Sequence, residues 1–334
     1  MGTAFLMFSS PLQATSPLPE QPPIPKDNPL TKEKIELGKQ LFFDPRLSLT
    51  GTVSCNSCHN VMSSGTDNTA TSTGVFGKKG GRNAPTVWNS AFLTVQFWDG
   101  RAASLEEQAK GPLVNPVEMG MKNHQAVVKR IKKIDGYVKQ FKKVFKGRNP
   151  VTIDNVAKAI AAYERTLITV NSPFDRYLKG DKKALSASAK RGWKKFQEIG
   201  CISCHSGPNF SGPTKTMGVG FFMKFPTFPG SQYDKKYRLL EDKGRYEVTK
   251  KEEDKHMWRV PTLRNVALTA PYFHNGAVKT LPEAVRVMAK TQLNKTLSSQ
   301  DVKDLVSFLK SLTGEFPKQT MPRLPEYRNA SLVD

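Results

Sequence analysis

Two copies of the pattern C-x-x-C-H constrain this 334-residue chain more than any other feature. Together they use all four of its cysteines. The copies are Cys55-Asn56-Ser57-Cys58-His59 and Cys201-Ile202-Ser203-Cys204-His205. In this pattern two thiols add to the vinyl groups of a haem, and the histidine coordinates its iron from the proximal side. The sequence therefore predicts two covalently bound haem c groups, with His59 and His205 as the proximal ligands.

Other uses of these cysteines explain the pattern less well. Two C-x-x-C units could supply four zinc ligands, but the two histidines that follow them would then have no role. A thioredoxin-like pair rarely carries a histidine directly after it, and a second copy is unexpected. Four cysteines are also too few for a disulfide framework in a chain of this length. The separation of the two motifs leaves room for one small haem domain around each.

The composition sets the broad class of protein. Hydrophobic residues make up 38% of the chain, which is enough for a core and excludes a disordered polyelectrolyte. No apolar run is long enough to predict a membrane span. Lys and Arg number 51 against 29 Asp and Glu, so the net charge is +22. This excess indicates an acidic partner without identifying it.

The two ends of the chain differ from the middle. Residues 1–14 carry no charge and resemble the end of a secretory signal peptide. Residues 15–30 are rich in proline and predict an extended arm, and residues 316–334 predict an extended tail. Because bacteria attach haem c outside the cytoplasm, the haem motifs indicate the periplasm or an equivalent compartment.

The residue pattern predicts a mainly α-helical chain with long loops, one of them at residues 206–235, which are rich in Gly, Pro and Phe. A helix capped by Thr31 leads into the first haem motif, and a helix capped by Ser186 leads into the second. The capping box Thr280-Leu281-Pro282-Glu283 starts another helix. An apolar stripe from Val127 to Phe145 predicts a helical segment broken near Gly136.

Spacing alone leaves the second axial ligands of both irons open. For the second haem the downstream candidates are Met217, Met223, His256, Met257, His274 and Met288. Met288 lies on the apolar stripe of a capped helix, where a methionine more often fills the core. For the first haem, Met62 follows His59 too closely to reach the opposite face, and the next histidine is His124.

Longer motifs closely resemble those of bacterial dihaem cytochrome c peroxidases. The similarity runs from about residue 37 to residue 314, and its most specific stretches are Leu41–Ser48, Asn83–Asn89, Gln96–Ala102, Pro173–Tyr177, Pro261–Asn265 and Ala270–His274. The resemblance implies two cytochrome-c-like domains, which we place at residues 31–178 and 179–315. The first haem would react with hydrogen peroxide. The second would accept electrons from a small cytochrome c or cupredoxin.

The resemblance also implies roles for four side chains around the haems. Met288 would be the second axial ligand of the second haem. Trp98 would aid electron transfer between the haems, although interdomain packing also explains a tryptophan there. Glu118 would move a proton between the two peroxide oxygens, and Gln108 would hydrogen-bond the same ligand. Taken alone, Glu118 would be an ordinary surface carboxylate.

The family also holds a calcium ion between its two domains. The resemblance implies that the side chain of Asn83 and the carbonyls of Thr269 and Pro271 bind this ion here. Oxygen ligands of this kind suit a hard cation.

One position departs from the family pattern. Many members carry a histidine in the loop after the first haem motif, which ligates the peroxidatic iron at rest and leaves when the other haem is reduced. Here Val75 occupies that position, and neither Val75 nor Phe76 can bind iron. We therefore expect a five-coordinate or water-ligated first haem that needs no reductive activation. His124 is a weaker candidate ligand, because a solvated position at the start of a helix explains it better.

Two other functions stay open at this point. A dihaem oxidase like the enzyme of methylamine utilisation would have tyrosine where this chain has Met288. A plain dihaem electron carrier would leave Glu118 and Gln108 without a purpose. Nucleic acid binding has only the net charge in its favour and no recognisable motif. The charge suits an acidic electron donor, and a homodimer is expected by analogy with the family.

Overall fold

A computed structural model describes residues 15–327 of the chain. Within this range the chain forms twelve α-helices and one small two-stranded sheet, so the mainly helical prediction is confirmed. None of the helices within this range is long and apolar enough to cross a membrane. The segment 1–14, which resembles a signal peptide, lies outside the described residues, as does 328–334 of the predicted tail.

The first half of the chain packs its helices around one apolar core. Its helices are α1 (Lys32–Phe43), α2 (Cys55–Cys58), α3 (Leu105–Val114), α4 (His124–Lys132), α5 (Asp135–Val144) and α6 (Ile153–Glu164). The core includes the fully buried side chains of Leu37, Ile131, Phe141 and Val156. Thr31 caps α1 as predicted, because its hydroxyl accepts a hydrogen bond from the Lys34 N–H at 3.2 Å.

The second half has its own core, built largely from aromatic rings. Its helices are α7 (Pro173–Leu178), α8 (Ala187–Glu198), α9 (Gln232–Lys236), α10 (Tyr246–Thr249), α11 (Leu281–Leu293) and α12 (Ser299–Lys310). Strands β1 (Phe222–Lys224) and β2 (Met257–Arg259) pair antiparallel. Phe174 of α7 packs edge-on against Phe308 of α12 in this core, with ring centroids 5.2 Å apart. We therefore propose that the domain boundary lies before α7 rather than after it.

The helix that precedes each haem motif crosses the last helix of its own half at a glycine. In the first half, Gly38 of α1 lies against the backbone carbonyl of Ala159 in α6. In the second half, Gly192 of α8 lies against the carbonyl of Asp304 in α12. A side chain on either glycine would collide with that backbone, so both close crossings require glycine. The two halves therefore repeat one architecture with little sequence identity.

Local predictions from the sequence hold in one place and need correction in two. The predicted break near Gly136 is confirmed, since α4 ends at Lys132 and α5 begins at Asp135. The predicted capping box of α11 is only half made. Thr280 caps the helix, but the Glu283 carboxylate accepts from the Tyr237 hydroxyl at 2.6 Å. The region 206–235, predicted as loop, contains β1 and the start of α9.

Candidate haem-binding sites

The two C-x-x-C-H segments have the same local shape. The His59 N–H donates to the Cys55 carbonyl at 2.9 Å, and the His205 N–H donates to the Cys201 carbonyl at 2.9 Å. The first segment is the short helix α2, and the second begins with a 3₁₀ turn. One turn of backbone thus holds two thiols and an imidazole together at each site.

Both proximal histidines are oriented by a backbone carbonyl. Nδ1 of His59 lies 3.0 Å from the oxygen of Pro85, and Nδ1 of His205 lies 3.1 Å from the oxygen of Phe210. A carbonyl oxygen can only accept, so Nδ1 donates and Nε2 keeps its lone pair for a metal. Burial also lowers the pKa of both imidazoles, which favours the neutral form that an iron requires.

A large apolar cavity lies over the second motif. Its empty volume, counted out to its open mouth, is about 1670 Å³, and Cys201, Cys204 and His205 lie in its wall. The structure brings three of the six candidate axial ligands to this wall, namely Met223, His274 and Met288. The other three candidates are Met217, His256 and Met257, which do not line it. An apolar cavity with attachment thiols at one edge fits a haem.

His274 differs from the other two candidates because its ring is buried and packed against another aromatic side chain. The side chain is 3% exposed and stacks on Trp258 with ring centroids 4.2 Å apart. Burial lowers the pKa of His274 to about 4. Its Nε2 has no hydrogen-bond partner among the described residues. Met288 projects into the cavity from α11.

Trp98 joins the two halves of the molecule. It belongs to the first half of the sequence, but it lines the cavity over His205 and packs against the second core. Its indole N–H donates to the Asn83 carbonyl at 2.8 Å, and its own carbonyl accepts from the Arg259 N–H at 2.9 Å. Interdomain packing is therefore part of its role.

The loop that carries Val75 is fixed against the segment that carries Glu118. The Val75 N–H donates to the Glu118 carbonyl at 2.9 Å. Val75 is 1% exposed and belongs to the first core, whereas the neighbouring Phe76 is 68% exposed. The side chain at position 75 is thus apolar, buried and packed, so it cannot bind iron.

Glu118 is a half-buried carboxylate beside the first haem motif. Burial raises the pKa of its carboxyl above the usual range, and the nearby Arg101 and Asn115 oppose that rise. The charge of Glu118 contributes, behind burial itself, to the raised pKa of both thiols of the motif, Cys55 and Cys58. The carboxylate and the attachment site therefore lie close together.

The two other residues predicted near the first haem behave differently. Gln108 is half-buried on α3, and within residues 15–327 its side-chain amide makes no hydrogen bond. It is therefore available to a ligand. His124 is not simply solvated as predicted, because its Nε2 lies 3.0 Å from the Lys110 carbonyl on α3. That contact ties α4 to α3 and occupies one ring nitrogen.

Three oxygen-bearing residues meet between the two halves. Asn83, Thr269 and Pro271 all line the same cavity wall. The side-chain nitrogen of Asn83 donates to the Thr69 carbonyl at 2.8 Å. The side-chain oxygen Oδ1 points away from that carbonyl. The carbonyls of Thr269 and Pro271 accept no hydrogen bond from the described residues, whereas the carbonyls on either side of Thr269 accept from Asn68.

Free amide and carbonyl oxygens of this kind fit a hard cation such as calcium. The described residues contain no cluster of three or more His, Cys, Asp or Glu that could hold a metal ion. A cation at this place would therefore depend on neutral oxygens.

Glu164 was missed by the sequence analysis. It ends α6, is 6% exposed and has one carboxylate oxygen without a partner. Burial raises its pKa to about 8, with Arg165 opposing the shift. Its charge also contributes to the raised pKa of Cys55, so it lies near the first motif. A signal was present, because Glu164 follows Val156 and Ile160 at helical spacing on the buried stripe.

Comparisons with known proteins cover both halves. The family model described as di-haem cytochrome c peroxidase matches residues 32–183, and the cytochrome c model matches residues 189–313. The chain is 49% identical to cytochrome c551 peroxidase of Pseudomonas aeruginosa, over 88% of this chain and 82% of that protein. It is 46% identical to cytochrome c551 peroxidase of Nitrosomonas europaea, over 88% and 84% of the two chains.

The fold also has a solved relative. The crystal structure of a MauG-like protein associated with microbial copper homeostasis superposes with a TM-score of 0.76 at 28% identity. The match covers 93% of this chain and 96% of that one. The likeness therefore extends over both cores and the segments that join them.

Proposed function

The chain belongs to the di-haem cytochrome c peroxidase family, whose members are oxidoreductases acting on peroxide. On that premise we propose which of its own residues serve peroxide reduction and which serve electron transfer. The observation that carries the proposal is the difference between the two sites. Met288 lies in the cavity over the second motif, whereas Glu118 lies beside the first motif, where position 75 is valine. The second site thus suits electron transfer and the first suits peroxide.

When bound, the haem on His59 supplies an open iron for peroxide and the haem on His205 supplies an electron-transfer centre. We assign Cys55 and Cys58 to attachment of the first haem, and Cys201 and Cys204 to attachment of the second. Met288 would hold the iron of the second haem together with His205. A thioether there raises the reduction potential.

Glu118 holds and moves the proton that O–O cleavage requires. Hydrogen peroxide, two electrons and two protons give two waters, so one oxygen of the peroxide must gain a proton as the bond breaks. Because burial raises the pKa of Glu118, its carboxyl exchanges protons nearer to neutral pH than an exposed glutamate does. The free amide of Gln108 orients the same ligand.

Trp98 would lie on the path by which electrons pass from the second haem to the first. The position of this indole in the cavity wall, bonded to Asn83, supports that path. The donor is a small redox protein that docks near the second haem, and an acidic donor suits the net charge of +22. Turnover should then fall as salt screens the encounter. We place the protein in the periplasm, with calcium at Asn83, Thr269 and Pro271 joining its halves.

Because Val75 is buried and apolar, it would offer the first iron no ligand, and we propose that no other side chain takes its place at rest. Electron paramagnetic resonance of the fully oxidised protein should show one high-spin and one low-spin ferric haem. The oxidised, unreduced protein should turn over promptly when mixed with peroxide and a reduced donor cytochrome. Two low-spin haems, or turnover only after prior reduction, would contradict the Val75 argument and leave the peroxidase assignment intact.

A matched variant tests the remaining ligand candidate at the first haem. His124→Ala should leave the high-spin signal unchanged, because Nε2 of His124 already faces the Lys110 carbonyl. A change of spin state in that variant would make His124 the ligand. The same assay separates the competing functions. A plain electron carrier would exchange electrons with the donor and consume no peroxide. A dihaem oxidase would consume peroxide only with an organic or protein substrate.

A further inference from the structure

Helices α4 and α5 and the loop after α5 concentrate much of the chain's positive charge. Residues 122–148 contain ten Lys or Arg residues and one acidic residue, Asp135. Nine of the ten cations are exposed, and we call them the α4–α5 face. They are Lys122, Lys129, Lys132, Lys133, Lys139, Lys142, Lys143, Lys146 and Arg148. The tenth, Arg130, is buried.

Seven of the nine cations of the α4–α5 face have no ion pair with the described residues; the two exceptions are Lys133 and Lys143. Lys139 lies one helical turn from Lys142 and Lys143, and like charges at this spacing destabilise a helix. Lys143 has a long ion pair with Glu33, 3.7 Å apart, whereas Lys139 and Lys142 have none with the described residues.

Some lysines elsewhere on the surface are compensated on their own helices. Lys194 pairs with Glu198 at 3.6 Å, and Lys250 pairs with Glu247 at 3.2 Å. An ordinary solvated helix face carries such opposite charges. Residues 122–148 carry only Asp135 as an opposite charge, so an anionic surface outside the molecule would supply most of the counter-charge of the α4–α5 face.

Helices α4 and α5 both direct their apolar side towards the first core. Val127 and Ile131 of α4 and Tyr137 and Phe141 of α5 are fully buried in the first core. The lysines of each helix occupy the opposite arc, so they face solvent on the outside of the first half. The turn between α4 and α5 is only two residues long, which keeps the two charged arcs next to each other.

The chemistry of the face favours a lipid surface over a protein. Protein partners anchor on exposed aromatic or aliphatic residues. Residues 122–148 contain no exposed large hydrophobic side chain. Eight of the nine exposed cations are lysine, a strongly hydrated point charge, rather than the planar arginine that suits a fixed bidentate contact. A broad array of such charges fits mobile anionic headgroups.

We propose that the α4–α5 face holds the haem-loaded protein against an anionic phospholipid surface. Each lysine close to such a surface contributes severalfold in affinity, so removal of three should weaken binding by about a hundredfold. This docking is independent of the peroxidase chemistry, because its lysines lie on the outer side of the first core. The electron donor would then bind to charged residues elsewhere on the surface.

Co-sedimentation of the holoprotein with lipid vesicles tests the proposal. Vesicles of phosphatidylcholine with 30% phosphatidylglycerol should bind it, and vesicles of pure phosphatidylcholine should not. The triple variant Lys139→Gln, Lys142→Gln, Lys143→Gln should lose about a hundredfold in affinity. The control variant, with Gln at Lys179, Lys182 and Lys183, removes the same charge from exposed positions of the second half. It should bind nearly as well as the wild type.

Each other outcome is decisive. No binding of the wild type to the anionic vesicles would overturn the proposal. An equal loss in both triple variants would reduce the effect to net charge and overturn it as well. Binding to an acidic protein that depends on Lys139, Lys142 and Lys143, without vesicle binding, would assign the face to a protein partner instead. Unchanged haem spectra, thermal unfolding and peroxide turnover in both variants would show that folding and catalysis are intact.

Discussion

A buried ion pair between Asp175 and Arg264 gives the sharpest test of how the second site is held. The two charged groups are 2.8 Å apart, and their side chains are 1% and 0% exposed. The carboxylate also accepts from the Ser172 hydroxyl at 2.7 Å and from the Leu18 N–H at 3.1 Å. Arg264 in turn donates to the Pro208 carbonyl at 2.7 Å. One carboxylate thus joins the proline-rich arm, α7 and the loop after His205.

Replacing Asp175 by alanine removes one partner of this pair. The Arg264 guanidinium would stay charged and buried with no anion, so the free energy of unfolding should fall by about 3–5 kcal/mol. The loop from Pro208 to Phe210 should also loosen. Because the Phe210 carbonyl orients His205, the reduction potential of the second haem should shift.

The pair also predicts an acid dependence. Although burial opposes it, Arg264 holds the pKa of Asp175 below its usual range. A lowered pKa in the folded state contributes stability above the unfolded value, 3.8, and loses it as pH falls through the folded value. Asp175→Asn should therefore remove this part of the acid sensitivity. Urea unfolding at several pH values, followed by haem absorbance and tryptophan fluorescence, measures it.

Two further variants make this prediction refutable. Asp181→Ala removes a nearby exposed carboxylate and should change the free energy of unfolding by less than about 0.5 kcal/mol. Asp175→Ala combined with Arg264→Met removes both charges and should recover part of the lost stability. A loss below about 1 kcal/mol in the single variant, or no recovery in the double variant, would refute the reasoning.

Three further predictions follow from the same geometry. Glu118→Gln should lower kcat by about 10²–10⁴-fold. It should also abolish the fall in activity at low pH, because that fall reflects protonation of the Glu118 carboxyl, whose pKa is raised. Steady-state assays with peroxide would measure both effects, and an unchanged rate of reduction of the second haem by the donor would serve as the control. The pKa of Glu164 rises from 4.5 to about 8 on folding, so the free energy of unfolding of the wild type should decrease as pH rises between these values, by up to about 1.4 kcal/mol per pH unit. In urea titrations Glu164→Gln should make this pH dependence smaller. Asn83→Ala should weaken calcium binding in calorimetry, whereas the exposed control Asn149→Ala should not; equal affinities would remove Asn83 from the site.

Features set by nearby residues could be predicted from the sequence. Thr31 and Ser186 cap the helices before the two haem motifs because capping needs only a hydroxyl and the next turn of backbone. The break near Gly136 could be predicted because a glycine interrupts an otherwise continuous apolar stripe. The haem motifs could be found because their residues are adjacent in the chain.

Features that join distant segments could not be predicted in this way. Strands β1 and β2 are three residues each and pair across a long loop, so neither has an alternation long enough to detect. Six residues competed as axial ligand at the second site, and only the three-dimensional cavity narrows them to three. The Glu283 side chain was expected to close a local capping box, but Tyr237 binds it from another segment.

The position of Trp98 limits how this molecule can be divided. Its indole forms part of the wall around the second site although it is encoded in the first half of the chain. A protein made only of the second half would lack that wall and expose an apolar haem face to water. Neither half could therefore be exchanged between relatives as an independent module, and recombination that keeps function must carry the segment around Trp98 together with the C-terminal half.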